Sequence, residues 1–132
     1  MSRFTRLLAP LLAAPLVAAV GCSSKPDGPL TAGGRPVSYW LDELKRPDAK
    51  ARKKAVKELG HVGKADPAAV PAVTAALKDV DAGVRAEAAL ALLNLGPDAA
   101  DAAPALADAA RDRDPKVRDY AAKALAKVRG DG

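Results

Sequence analysis

Cysteine, histidine, tryptophan and phenylalanine each occur once in the 132 residues, isoleucine is absent, and aromatics make up only 3%. The side chains that a disulfide framework, a His or Cys metal cage or a Cys/His nucleophilic pair would need are mostly missing. So are the isoleucine and aromatic residues that a β-rich fold favours. What is abundant is alanine, about a quarter of the chain within a hydrophobic fraction of 49%, which points to an Ala-rich helical protein. The length fits one domain and leaves no room for a large multi-domain enzyme.

The first residues are organised differently from the rest. Arg3 and Arg6 precede an apolar run from Leu7 to Val20, which ends in Ala18-Ala19-Val20-Gly21-Cys22. This is the pattern of an export signal. The run is shorter than the roughly 20 residues needed to span a bilayer, and Pro10 and Pro15 interrupt it. The segment resembles a bacterial lipoprotein signal, in which small or aliphatic residues lead to an obligatory Cys, with Ala19 standing where Leu is commoner. The resemblance implies cleavage after residue 21, lipidation of Cys22 and anchoring in the cell envelope. Because Ser23, not Asp, follows, it implies the outer membrane. Buried acyl chains would then hold the protein on the lipid at ~0.8 kcal/mol per CH₂. Residues 22–35, rich in Pro and Gly and without apolar periodicity, read as a tether; as a flexible coil it reaches ~20 Å. Loss of Arg3 and Arg6 lowers the net charge of +5 by two.

From residue 36 to 129 the chain repeats with a period of 33. The register aligns Asp48, Asp81 and Asp114; Arg52, Arg85 and Arg118; Ala55, Ala88 and Ala121; Leu59, Leu92 and Leu125. Shorter matches pair Gly63 with Gly96, Pro71 with Pro104 and Asp79 with Asp112. Such self-similarity is the mark of stacked supersecondary units. Within a unit, Ala51, Ala55, Val56, Leu59 and Val62 share one helical face while Lys50, Lys53, Lys54, Lys57 and His61 share another. The three Asp residues are expected N-caps, and Gly63 and Gly96 mark helix ends. Second helices are expected to begin near Asp66-Pro67, pushed toward Ala68 or beyond because Pro71 must sit in a first turn, and near Asp101. Val37, Trp40, Leu41 and Leu44 form a further helix whose Trp40 aligns with Val73 and Leu106. The expected array is all-α, a short superhelix of about six helices, with residues 130–132 as a tail.

The pattern Asp81-x-x-Val84-Arg85-x-x-Ala88-x-x-x-Leu92 recurs as Asp114, Val117, Arg118, Ala121 and Leu125, and with Ala51 for Val as Asp48, Arg52, Ala55 and Leu59. It resembles the short HEAT-like repeat also found in phycobilin lyases. The resemblance implies a right-handed α-α solenoid that mediates protein–protein interaction. It also implies that each Arg contacts acidic or carbonyl groups of a neighbouring unit; Asp48 and Arg52 could additionally pair at i, i+4. A second implied role is an accessory chaperone or lyase-type subunit handling a tetrapyrrole or other small ligand. Unmatched apolar edges at the ends of the array leave a third possibility, self-assembly.

The candidate partner contacts are the stripe Lys50, Lys53, Lys54 and Lys57, and the patch of Lys116, Lys123 and Lys127 around Tyr120 on the last helix. Either could meet anionic headgroups or an acidic protein, and either could be a solvated helix face. Nucleic acid is disfavoured, since no aromatic and Arg stacking platform accompanies the lysines. No catalytic, metal or cofactor residues stand out. The lysines near His61 would not orient it as a base, Asp42, Glu43, Glu58 and Glu87 fall on exposed-looking faces, and no Gly-rich phosphate loop follows a strand. The expectation is a non-enzymatic envelope scaffold for an unknown envelope protein.

Overall fold

The computed structural model describes residues 34–131. The signal segment 1–21, Cys22 and the tether as far as residue 33 lie outside the described residues, as does Gly132 of the tail. Six α-helices follow one another: α1 (Val37–Glu43), α2 (Ala49–Val62), α3 (Ala69–Ala75), α4 (Ala82–Leu95), α5 (Ala103–Ala109) and α6 (Pro115–Val128). Single turns of 3₁₀ helix join them at Gly63–Ala65 and Ala76–Lys78, and a longer 3₁₀ stretch at Gly96–Ala102. Among the described residues there is no strand.

The long helices α2, α4 and α6 each start on the expected aspartate in extended conformation. Asp48 accepts from the Lys50 N–H, Asp81 from the Val84 N–H, and Asp114 from both Lys116 and Val117, satisfying amides that the first turn leaves without intrahelical partners. Pro115, which has no N–H to lose, opens α6. Gly63 and Gly96 cap α2 and α4; Gly96, at φ +59°, takes a backbone conformation that side-chain-bearing residues rarely adopt.

The first of the second helices starts just beyond Ala68, as the position of Pro71 requires, and the next starts two residues after Asp101. The chain leaves each glycine in 3₁₀ winding, so α3 begins at Ala69 and α5 at Ala103. Asp66 instead closes the preceding turn, its carboxylate accepting the Ala68 N–H at 2.8 Å. Pro71 and Pro104 fall in first turns, where their missing donor costs nothing.

Packing follows the repeat. Helix α4 lies between α2 and α6, while α3 packs on α2 and α4 and α5 packs on α6. The fully buried Leu59, Leu92, Leu106, Val56, Val73, Val84 and Val117 run through all units as one core, closed at the start of the array by Val37 and Trp40. Sandwiched on both sides, α4 is apolar almost all round and buries Val84, Arg85, Ala86, Ala88, Ala89, Ala91 and Leu92. Helices α2 and α6, each with a wet side, stay amphipathic. Alanine permits close approach of the long helices, and Gly60 permits it most. A Cβ there would lie 2.8 Å from the Ala91 Cβ, so a mid-helix glycine, unfavourable by about 1 kcal/mol on propensity, is the contact point of α2 with α4.

Candidate interaction surfaces

The best-defined polar feature is a ladder of arginines along the start of the long helices. Arg52 donates from Nε to Asp79 Oδ2 at 2.9 Å and from Nη2 to Asp79 Oδ1 at 3.0 Å. One unit on, Arg85 repeats the clasp on Asp112 at 2.9 and 3.1 Å. The remaining nitrogen, Nη1, faces back to the carbonyls before its own helix: Arg46 and Pro47 for Arg52, Asp79 and Val80 for Arg85, Asp112 and Arg113 for Arg118. Each clasped carboxylate also accepts a backbone N–H, Asp79 from Asp81 and Asp112 from Asp114. A planar fork that binds a carboxylate edge-on fixes both distance and orientation, so the ladder sets the register between successive units.

Burial pushes the Asp79 and Asp112 carboxyls upward, but the hydrogen bonds from Arg52 and Arg85, the backbone donors and the neighbouring positive charges outweigh it. Both carboxyls titrate below the ordinary carboxylate range. The hydrogen bond that Arg52 donates to Asp79 raises the pKa of its guanidinium in return. The i, i+4 pairing of Arg52 with Asp48 is not what forms. Asp48 is spent on the helix cap, and Arg52 reaches across to the next unit, where the Asp79 carboxylate lies edge-on to its fork.

The lysine stripe of α2 is exposed at Lys50, Lys53, Lys54 and Lys57, with the Lys54 ammonium 5.7 Å from the Trp40 ring centroid. The patch around Tyr120 divides. The Lys116 ammonium is 5.8 Å from the Tyr120 ring centroid. Lys123 is held by Asp119 at 2.8 Å, whose hydrogen bond raises its pKa. Lys127 instead lies along Gly96. Although Lys53 and Tyr120 are far apart in sequence, the fold brings Lys53, Lys116 and Tyr120 to one shallow depression of about 140 Å³ over α4. Glu87 and Asp114 line it too, so its charge is mixed.

A larger groove of about 770 Å³ opens between α3 and the Gly96–Ala105 segment, lined by Pro67, Val70, Pro71, Thr74, Ala75 and Ala105, with Lys78, Asp98 and Asp101 as its charged groups. Residues with backbone held by short helices and little side-chain entropy to lose make this a preformed surface. The groove lies on the stacked second helices, a surface that the repeat itself suggests, and its sequence signal is the paired Pro71 and Pro104 in the first turns of two short helices in the same register.

Of the four carboxylates expected on exposed faces, only Asp42 is exposed; Glu43, Glu58 and Glu87 are half-buried. Glu58 departs furthest: its side chain is 15% accessible, and its Oε2 is buried without a hydrogen-bond partner, 3.9 Å from His61 Nδ1. The 33-residue register carried the signal, because Glu58 aligns with Ala91 and Ala124, both buried. Among the described residues no three or more His, Cys, Asp or Glu side chains converge as metal ligands, and no helix is long and apolar enough to cross a membrane.

Tandem helix pairs stacked in one register, tied by a repeated Arg–Asp clasp, define an α-helical repeat protein. Residues 37–126 match the family of HEAT repeats, and the chain belongs to that family. Among solved structures it is similar to the crystal structure of an engineered protein, at 25% identity and a TM-score of 0.55, with 73% of this chain covered. The match spans 45% of that protein. No curated protein matches.

Proposed function

We propose that this HEAT-repeat protein is a non-enzymatic scaffold that holds another protein at the cell envelope, where the lipidated Cys22 would anchor it. The observation that carries the interaction role is the open groove between α3 and the Gly96–Ala105 segment. It is apolar along Val70, Pro71, Ala75 and Ala105, has cationic Lys78 and anionic Asp98 and Asp101 on its border, and sits on units held in register by Arg52–Asp79 and Arg85–Asp112. Rigid, extended surfaces of this kind suit a protein partner. The envelope location rests on the signal pattern ending at Gly21-Cys22. A photoreactive residue placed at Ala75, irradiated in native envelopes and read by mass spectrometry, should yield one dominant protein adduct. A protein found without crosslinks, or released from membranes on fractionation with Cys22 unmodified, overturns the respective half.

A small-ligand role draws on the groove volume, which lies within the ~300–1,000 Å³ of ligand sites. The absence of any aromatic side chain among the groove-lining residues argues against a tetrapyrrole, and a purified protein with no chromophore absorbance excludes one.

A further inference from the structure

Among the described residues, the last arginine of the Arg–Asp ladder has a fork that is only half used. Arg118 donates from Nη1 to the Asp112 and Arg113 carbonyls at 2.8 and 3.0 Å, as its counterparts do. Among the described residues, however, no carboxylate meets its Nε and Nη2 edge, the edge that clasps Asp79 in Arg52 and Asp112 in Arg85. The guanidinium is therefore aimed and oriented by the same two carbonyls, and exposed.

The helix around it presents a matching surface. Arg118, Ala122, Leu125 and Arg129 fall at i, i+4, i+7 and i+11 on one face of α6. Their counterparts on α4 are Arg85, Ala89 and Leu92, buried at 6%, 0% and 0% exposure, where α6 packs on α4. On α6 the same columns are exposed at Arg118 and Ala122 and half-buried at Leu125. Twice within this molecule, then, that arrangement is covered by a following helix whose leading turn reads Asp-x-Asp: Asp79-Val80-Asp81 and Asp112-Arg113-Asp114. In each, the first Asp takes the arginine and the second caps the helix.

We propose that the α6 end of the array is a docking site for another protein's helical unit led by an Asp-x-Asp turn, with Arg118 receiving the first carboxylate and Ala122 and Leu125 the helix. This rests on the scaffold reading and names the chemistry of its partner. A second copy of this chain does not fit. The position equivalent to Asp79 and Asp112 in the first unit is Arg46, which is bound to Glu43. Head-to-tail stacking, with α1 of one copy following α6 of the other, would set Arg46 against Arg118, two like charges at contact distance where the internal joints hold an ion pair. The arginine thus selects an acidic partner and rejects self-polymerisation.

The test uses a variant of the full chain as probe. Arg46→Asp gives the first unit the Asp-x-Asp turn of the other two, and Arg118→Ala in the same molecule removes its own receptor. In sedimentation velocity, the unmodified chain alone should remain monomeric and should form a 1:1 complex with this probe. Arg118→Ala in the receptor should weaken the complex by about tenfold or more, the scale of a lost charge-assisted bidentate bond. Arg118→Lys, which keeps the charge and loses the fork, should fall between, with circular dichroism confirming that both variants remain helical. Failure of the probe to bind, equal binding to Arg118→Ala, or self-association of the unmodified chain overturns the proposal. If envelope crosslinks map to the α3 groove while this probe fails, the docking site is wrong and the scaffold reading stands.

Discussion

Arg85 and Asp112, 27 residues apart, meet through two parallel hydrogen bonds of 2.9 and 3.1 Å, with side-chain exposures of only 7% and 12%. The pair lies between α4 and the turn leading to α6, and the same guanidinium holds the Asp79 and Val80 carbonyls. One side chain therefore joins three segments: the end of one unit, the start of its own helix and the loop of the next.

Removing that joint should be costly because the partner stays behind. Arg85→Ala leaves Asp112 half-desolvated without its cation and two carbonyls without a donor, a loss of about 3 kcal/mol or more for a broken buried pair. Arg118→Ala, whose fork meets no carboxylate among the described residues and is exposed, should cost about 1 kcal/mol or less. Urea unfolding followed by circular dichroism separates the two; equal losses would show that the ladder does not set the register.

Acid should undo the same joints. The Asp79 and Asp112 carboxyls are held below the ordinary range, so between the unfolded and folded pKa values the unfolded chain binds more protons and stability rises with pH. Their contribution is complete above the unfolded carboxylate value of about 3.9 and is lost as pH falls through the lower folded values. The melting temperature should drop steeply below about pH 4. In Arg85→Ala, where Asp112 has lost its first cationic partner, the drop should be shallower.

The columns of the repeat made much of this visible in advance. Asp48, Asp81 and Asp114 could be assigned as caps because a carboxylate directly before an apolar periodic run has one local use. Asp79 and Asp112 were visible as a matched pair, and the HEAT-like resemblance has each Arg meeting acidic or carbonyl groups of a neighbouring unit, as Arg52 and Arg85 do; which carboxylate each one meets was not visible, since a clasp spanning 27 residues depends on how one hairpin leans on the next. The late start of α3 is legible in Pro71, which must sit in a first turn, whereas the 3₁₀ winding after Gly63 and Gly96 leaves little sequence trace. Glu58 was misread because a single polar residue at a buried column looks, by itself, like the wet side of a helix. The groove beside α3 required knowing how far two short helices stand apart.

Gly60 offers a test of helix spacing. Glycine inside an exposed helix would be improved by alanine, but here the new Cβ would lie 2.8 Å from the Ala91 Cβ, and α2 and α4 would have to separate. Overpacking of this kind costs about 1–3 kcal/mol. Gly60→Ala should therefore destabilise, and pairing it with Ala91→Gly should recover part of the loss; a stabilised single variant would mean that the helices are further apart.

The aligned leucines should respond to truncation according to their place in the array. Leu59 and Leu92 are fully buried, so Leu→Ala at either removes the transfer energy and leaves a cavity, about 2–5 kcal/mol. Leu125 occupies the same column but is only partly covered, because no helix lies beyond α6 among the described residues. Its truncation should cost about 1 kcal/mol, in proportion to the smaller area withdrawn from water. If a partner docks on the α6 face as proposed, the two leucines differ in what their loss affects. Leu125→Ala should then weaken binding while leaving the free protein nearly as stable, and Leu92→Ala should lower the stability of the protein whether or not the partner is bound. Thermal melts with and without the Arg46→Asp/Arg118→Ala probe distinguish these outcomes, since a ligand that binds only the folded form raises the melting temperature in step with its affinity.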